Sequence, residues 1–141
     1  MRRATPLEYL ERLVLFNDVF GDDIRLVGVI AEPEPAIVTT QPVIRGRHAS
    51  PAEIASCMAA LGFAPVDDVV LDRRDSTSFF GAADGVAVFD AHGENVLAGE
   101  MGIAPIDLFV IRAGEDLRAF LEMPAADRLA EIGQWVSVSS D

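Results

Sequence analysis

The same four-residue pattern occurs twice in the chain and marks the start of two helices. It reads Thr-Pro-Leu-Glu at 5–8 and Ser-Pro-Ala-Glu at 50–53. In each copy a hydroxyl residue precedes a proline, which suits the first helical position, and a glutamate stands three residues after the hydroxyl, which completes a capping box. Apolar residues at helical spacing follow both copies as far as Gly21 and Gly62, which favour helix ends. The sequence therefore predicts two helices that flank residues 22–49.

The segments between and after these helices are rich in β-branched residues and are broken by turns. An antiparallel pair of strands is predicted at 24–32 and 36–44, because Pro33-Glu34-Pro35 forms a short turn between them. Shorter strands are predicted at 68–72, 85–90, 95–98 and 102–108, and helices at 114–121 and 124–135. Strands that occur in pairs, with helices between the blocks, favour an α+β fold over a doubly wound parallel sheet.

Length and charge restrict the classes of function. The 141 residues predict one domain, 1–141, and no run of 18 apolar residues suggests a membrane span. No secretory signal is recognisable after Met1, so a cytoplasmic location is expected. The formal net charge of −12 argues against binding to nucleic acid or to an anionic membrane, and it would suit a basic protein partner. All eleven basic residues are arginine, and the sequence contains no lysine.

Three polar residues near the middle of the chain could form a metal site. Asp90 ends one apolar strand, Asn95 begins the next, and Asp107 interrupts a third apolar run. Carboxylate and amide oxygens are suitable Mg²⁺ ligands, and a charge inside an apolar run needs a partner. The alternative is an ordinary turn between strands, because Asp, Gly and Asn are common turn residues for backbone reasons alone.

The segments FDAHGENVL at 89–97 and GIAPIDLFVI at 102–111 resemble the catalytic and metal-binding loops of the protein-kinase-like superfamily. The chain is most similar to the kinase-like domain found in large polyvalent proteins of phages and conjugative elements. The similarity covers roughly residues 7–112 and includes YLERLVLFNDVFGD, LVGVI, IVTTQPVIRG and ASPAEIASCMAALGF.

The resemblance implies a role for each matching residue. Asp90 would be the catalytic-loop acid, Asn95 and Asp107 would be the metal ligands, and Mg²⁺ and ATP would be the cofactors. The segment that contains Gln41 and Val43 would be the hinge, whose backbone faces the adenine ring. His92 would organise the loop.

The resemblance also divides the domain. Residues from about 5 to 45 would be a remnant of the small lobe, with Glu8 or Glu11 as the inward-facing acid of its helix, although a solvated face is the plainer interpretation of both glutamates. Residues from about 46 to 141 would correspond to the large lobe. The missing strands of the small lobe could come from another chain.

The sequence departs from the family in having no Gly-rich phosphate loop, no lysine, and Leu108 where the family has a glycine after the metal-binding aspartate. We therefore expect a degenerate or partial kinase-like domain, a pseudokinase from a bacterial or mobile-element protein. The alternative is a non-enzymatic interaction module whose acidic surface binds a basic protein or a second copy of the chain.

Overall fold

Both capping boxes are present in the structure, a computed structural model that describes residues 4–71 and 73–138. Helix α1 spans Pro6–Phe20 and helix α2 spans Pro51–Ala60. Thr5 Oγ1 accepts a hydrogen bond from the Glu8 backbone N–H at 3.2 Å, and the Glu8 carboxylate accepts one from the Thr5 N–H at 2.6 Å. Ser50 and Glu53 make the same reciprocal pair. The two predicted helix starts are confirmed.

The described residues also form nine strands and two further helices. The strands are β1 (Arg25–Ile30), β2 (Ala36–Thr40), β3 (Arg47–His48), β4 (Ala64–Pro65), β5 (Thr77–Gly81), β6 (Val86–Ala91), β7 (Val96–Gly99), β8 (Gly102–Pro105) and β9 (Phe109–Arg112). The helices are α3 (Glu115–Glu122) and α4 (Ala125–Val138). The strands form three antiparallel sheets in the orders β1-β2, β3-β7-β8 and β4-β5-β6-β9. The fold is α+β with small antiparallel sheets, as predicted.

One predicted strand is wrong, and four strands were missed: β3, β4, β5 and β9. Residues 68–71 are not a strand, and Asp72 lies outside the described residues. Serine side chains hold this segment as a loop, because Ser78 Oγ donates to the Val69 carbonyl at 2.6 Å and Ser76 Oγ to the Leu71 carbonyl at 3.0 Å. The longest of the missed strands is β5, in which Phe79 pairs with Val88 of β6.

The predicted strand at 102–108 is shorter in the structure, and the next strand begins beyond the predicted range. β8 ends at Pro105, and β9 begins at Phe109 in a different sheet. Between them the Ile106 N–H donates to the Asn95 carbonyl at 2.9 Å. The chain therefore turns a corner at Ile106 and Asp107, next to the loop that precedes β7.

Strand β6 is buried on both faces. Val86 and Val88 belong to a core cluster that includes residues of α1 and α2, whereas Ala87 and Phe89 belong to a second cluster on the opposite face of the sheet. Successive side chains of a strand point to opposite faces, so neighbouring residues enter different cores. This double burial holds the end of β6, where Asp90 lies, in a fixed position.

An ion pair between the buried Arg128 and the more exposed Asp68 attaches α4 to the loop at 66–71. Arg128 is 7% exposed, and its Nε donates to Asp68 Oδ2 at 2.7 Å while Nη2 donates to Oδ1. Arg128 Nη1 also donates to the Leu121 carbonyl at 3.1 Å. The hydrogen bonds from Arg128 lower the pKa of Asp68. No helix in the described part of the chain has the length and apolar character needed to cross a bilayer.

Candidate functional site

Asp90 has an unusual backbone conformation at the end of β6. Its φ angle is +61°, and no other non-glycine residue in the described ranges has a positive φ. This left-handed region costs most residues free energy but is tolerated by Asp and Asn. Such conformations occur often at functional sites, where the surrounding structure enforces them. The Oδ1 atom of Asp90 is buried and makes no hydrogen bond to any described residue.

Asn95 fixes the other side of the Asp90 carboxylate. Its Nδ2 donates to Asp90 Oδ2 and to the Asp90 carbonyl, both at 3.0 Å. The Asn95 backbone N–H donates to the His92 carbonyl at 2.9 Å, which closes the turn between β6 and β7. The structure thus brings together two of the predicted site residues, Asp90 and Asn95, in one hydrogen-bonded loop.

His92 lies inside this loop and is 5% exposed. Its Nδ1 accepts a hydrogen bond from the Glu94 backbone N–H at 3.3 Å. Nε2 lies 3.0 Å from Asn95 Nδ2 and 3.3 Å from Asp90 Oδ1. The imidazole therefore packs against both polar side chains and holds the loop together from within.

Asp107 reaches the same site from the corner between β8 and β9. The Asp107 N–H points to the Asn95 carbonyl at 3.4 Å, so the backbone joins the two loops. The Asp107 side chain is exposed, and it lines a cavity of about 440 Å³ together with Asp90 and Gln41. Helix α1 forms another wall of this cavity through Tyr9 and Phe16.

Of the remaining predicted site residues, Gln41 lines the cavity, whereas Val43 and Asn95 do not. The Gln41 side chain donates to Asp22 Oδ2 at 2.6 Å and to the Ile106 carbonyl at 3.1 Å, which ties the segment after β2 to the Asp107 corner. Val43 is 86% exposed and lines neither this cavity nor the larger groove described below. Asn95 contacts Asp90 but is not a lining residue of the cavity.

The two glutamates of α1 lie elsewhere. Glu8 and Glu11 are exposed and line an open groove of about 1160 Å³ between α1 and β9. The Glu8 carboxylate caps its own helix. Neither glutamate lines the smaller cavity with Asp90 and Asp107.

Arg12 is a cavity residue that sequence reasoning missed. It is partly buried and lines both the cavity and the groove. Its guanidinium carbon lies 4.5 Å from the centroid of the Phe109 ring and 5.8 Å from that of Tyr9. The available signal was its position on the helix, because Arg12 follows Tyr9 by three residues and precedes Phe16 by four, on the face that packs inward.

The carboxylates of Asp90 and Asp107 could bind a metal ion only if a ligand supplied further oxygen atoms for its coordination. Within residues 4–71 and 73–138, no group of three or more His, Cys, Asp or Glu side chains could hold a metal ion. Two carboxylates do line the cavity, and Asp90 contributes a buried oxygen without a hydrogen bond. Mg²⁺ commonly uses one or two protein carboxylates and completes its coordination with phosphate oxygens and water. The donor set therefore fits Mg²⁺ that is carried by a phosphorylated ligand.

Comparisons with protein families, with curated proteins and with solved structures found no match to this chain. The functional interpretation of the cavity consequently depends on its residues and their geometry.

Proposed function

We propose that the chain is a kinase-like domain that binds a nucleotide together with Mg²⁺ in the cavity between α1 and the loops of Asp90 and Asp107. The observation that carries the proposal is that these two carboxylates, from separate strand ends, line one cavity with Gln41. The resemblance of the sequence assigned the same three residues to one nucleotide site.

Each residue has a defined part in the proposed site. Asp90 and Asp107 would hold the metal ion, and Asn95 fixes the orientation of the Asp90 carboxylate through its 3.0 Å hydrogen bond. When bound, Mg²⁺ would supply positive charge that offsets the charge of the phosphates. The segment at Gln41 forms the wall that would face the base.

Nucleotide binding, rather than fast phosphotransfer, is the activity that we propose. The resemblance assigns to Asp90 the role of orienting an attacking hydroxyl group. However, the sequence contains no lysine and no Gly-rich loop to position the phosphates. A phosphotransferase ancestry with a retained ligand site accounts for both features.

The melting temperature tests this proposal directly. Mg²⁺ and ATP together should raise it by several degrees, because a ligand at 100 times its Kd stabilises a protein by about 2.7 kcal/mol. Asp107→Asn should abolish the increase, whereas Asp84→Asn, a matched change at an exposed turn outside the cavity, should retain it. Absence of any increase at millimolar Mg²⁺-ATP in the unmodified protein would refute the proposal.

A non-enzymatic interaction module is the second candidate, and one observation favours it. The two-stranded β1-β2 sheet exposes Leu26, Val27, Val29 and Ile30. A two-stranded sheet is marginally stable alone, and exposed apolar strands are typical of surfaces that another chain covers. Sedimentation velocity should then show self-association that Val29→Lys prevents. A monomer at every concentration would count against a second copy as the partner.

A further inference from the structure

We infer that Arg12 is the residue that recognises the phosphate groups of the ligand, and that this ligand is a di- or triphosphate carried with a divalent cation. The inference deepens the proposed function and depends on it for the identity of the metal site. It comes from the charge and packing of Arg12, which no motif in the sequence indicated.

Arg12 differs from every other arginine in the described ranges. Five of them form ion pairs: Arg25, Arg47, Arg73, Arg118 and Arg128. The four without an ion pair are Arg12, Arg45, Arg74 and Arg112, and only Arg12 among these four is partly buried. Its Nε atom is buried and makes no hydrogen bond to a described residue. A buried cationic donor without a partner is costly, so a ligand that supplies acceptors would be bound favourably.

The packing of Arg12 leaves its hydrogen-bond donors available. The guanidinium carbon lies 4.5 Å from the centroid of the Phe109 ring. Such a contact is a cation–π interaction with the face of the ring, and it does not use the N–H groups of the planar guanidinium as hydrogen-bond donors. Those N–H groups match the geometry of phosphate oxygens. Phe109 follows Asp107 by two residues, so the stacked arginine is held at the same corner as the second carboxylate.

The charges around Arg12 specify the kind of anion. Asp90 and Asp107 line the same cavity and would repel an anion that arrived alone. A divalent cation removes this repulsion by binding the two carboxylates. In a metal-bound di- or triphosphate, the metal ion would bind Asp90 and Asp107, and phosphate oxygens that do not bind the metal would accept hydrogen bonds from Arg12.

The test measures binding of three ligands by isothermal titration calorimetry: ATP, inorganic triphosphate and adenosine, each with and without Mg²⁺. Arg12→Met keeps much of the apolar stem and should weaken binding of ATP and triphosphate by about tenfold or more, the loss expected for one charge-assisted hydrogen bond. Adenosine binding should not change. Arg112→Met is the matched control, because Arg112 is exposed and lines only the larger groove.

The outcomes separate this inference from the proposed function. Unchanged triphosphate binding by folded Arg12→Met overturns the inference, while a loss of Mg²⁺-dependent ATP binding in Asp107→Asn would still support the metal site. If Mg²⁺ adds nothing to the binding but Arg12→Met abolishes it, phosphate recognition by Arg12 stands, whereas the divalent cation and the metal site are refuted. If Arg12→Met does not fold, Arg12→Lys decides, because it keeps the charge but loses the planar fork. Weaker binding by Arg12→Lys supports the inference and equal binding overturns it. If the unmodified protein binds neither ATP nor triphosphate, both proposals are wrong.

Discussion

Because Asp90 has a left-handed backbone, its replacement by glycine should destabilise the protein less than its replacement by alanine, which is the reverse of the usual order. Asp90→Ala and Asp90→Gly both remove the carboxylate that accepts from Asn95 Nδ2, so this loss is common to the two variants. They differ in the backbone, since the φ angle of +61° suits glycine and strains alanine. Asp90→Gly should therefore be the more stable of the two.

The magnitude follows from two opposing effects. A left-handed conformation costs an L-residue about 1–2 kcal/mol, which glycine avoids. Glycine loses more backbone freedom on folding, which offsets about 0.4–1 kcal/mol of that advantage. The net difference should be between about 0 and 1.6 kcal/mol in favour of glycine, with a central value of about 0.8 kcal/mol.

Urea denaturation of ligand-free protein measures this difference, and Asp84 provides the control pair. Asp84 lies in an exposed turn, and its φ is not among the positive values. There the order should be the ordinary one, with Asp84→Ala more stable than Asp84→Gly by about 0.4–1 kcal/mol. If Asp90→Ala is more stable than Asp90→Gly by about the same 0.4–1 kcal/mol as at Asp84, Asp90 does not have a left-handed backbone, and the strain at the site is refuted.

Three further predictions concern groups away from the cavity. Arg128→Met removes a buried guanidinium that donates to Asp68 and to two backbone carbonyls and should cost about 1.5–3 kcal/mol in urea denaturation, whereas Arg25→Met removes only an exposed pair and should change the midpoint little. The hydrogen bond from Arg47, with one from the Ser50 backbone, lowers the pKa of Glu53 from 4.5 to about 2. Its stabilising contribution is complete above pH 4.5 and is lost as the pH falls towards 2, so the melting temperature of Glu53→Gln should fall less steeply over that range; parallel curves would contradict this. Burial raises the pKa of the Cys57 thiol, so alkylation near neutral pH should be slow in the folded protein and accelerate in denaturant; equal rates would show an exposed thiol.

The sequence was sufficient for features that depend on neighbouring residues. The helix starts at Thr5 and Ser50 were predictable because a capping box is complete within four residues. The contact between Asp90 and Asn95 was predictable for a similar reason, since a tight turn brings residues five apart into hydrogen-bond distance.

Features set by tertiary contacts could not be derived in this way. β5 was missed because its serines suggested a loop, although Ser78 is buried and bonds to the Val69 carbonyl. The break at Asp107 depends on hydrogen bonds to Asn95, which the apolar run at 102–108 conceals. The place of Arg12 depends on the Phe109 ring, which is distant in sequence.

The site residues also divide into those that lie close together in the sequence and those that only the fold brings together. Asp90, Asn95 and Asp107 come from one compact segment, and their association follows from two turns. Gln41 and Arg12 reach the cavity from separate elements, and only the packing of α1 and of the segment after β2 places them there. A motif can reveal the first group, whereas the second requires the folded structure.

The location of a bound cation tests the central claim most directly. A crystal structure of the protein with ATP and Mn²⁺ in place of Mg²⁺ would show the metal by its anomalous scattering. The account predicts one peak in the cavity, coordinated by carboxylate oxygens of Asp90 and Asp107 at distances close to the 2.0–2.1 Å typical of Mg²⁺, with phosphate oxygens completing the shell. A nucleotide bound elsewhere, or bound in the cavity with no metal between these two carboxylates, would contradict it.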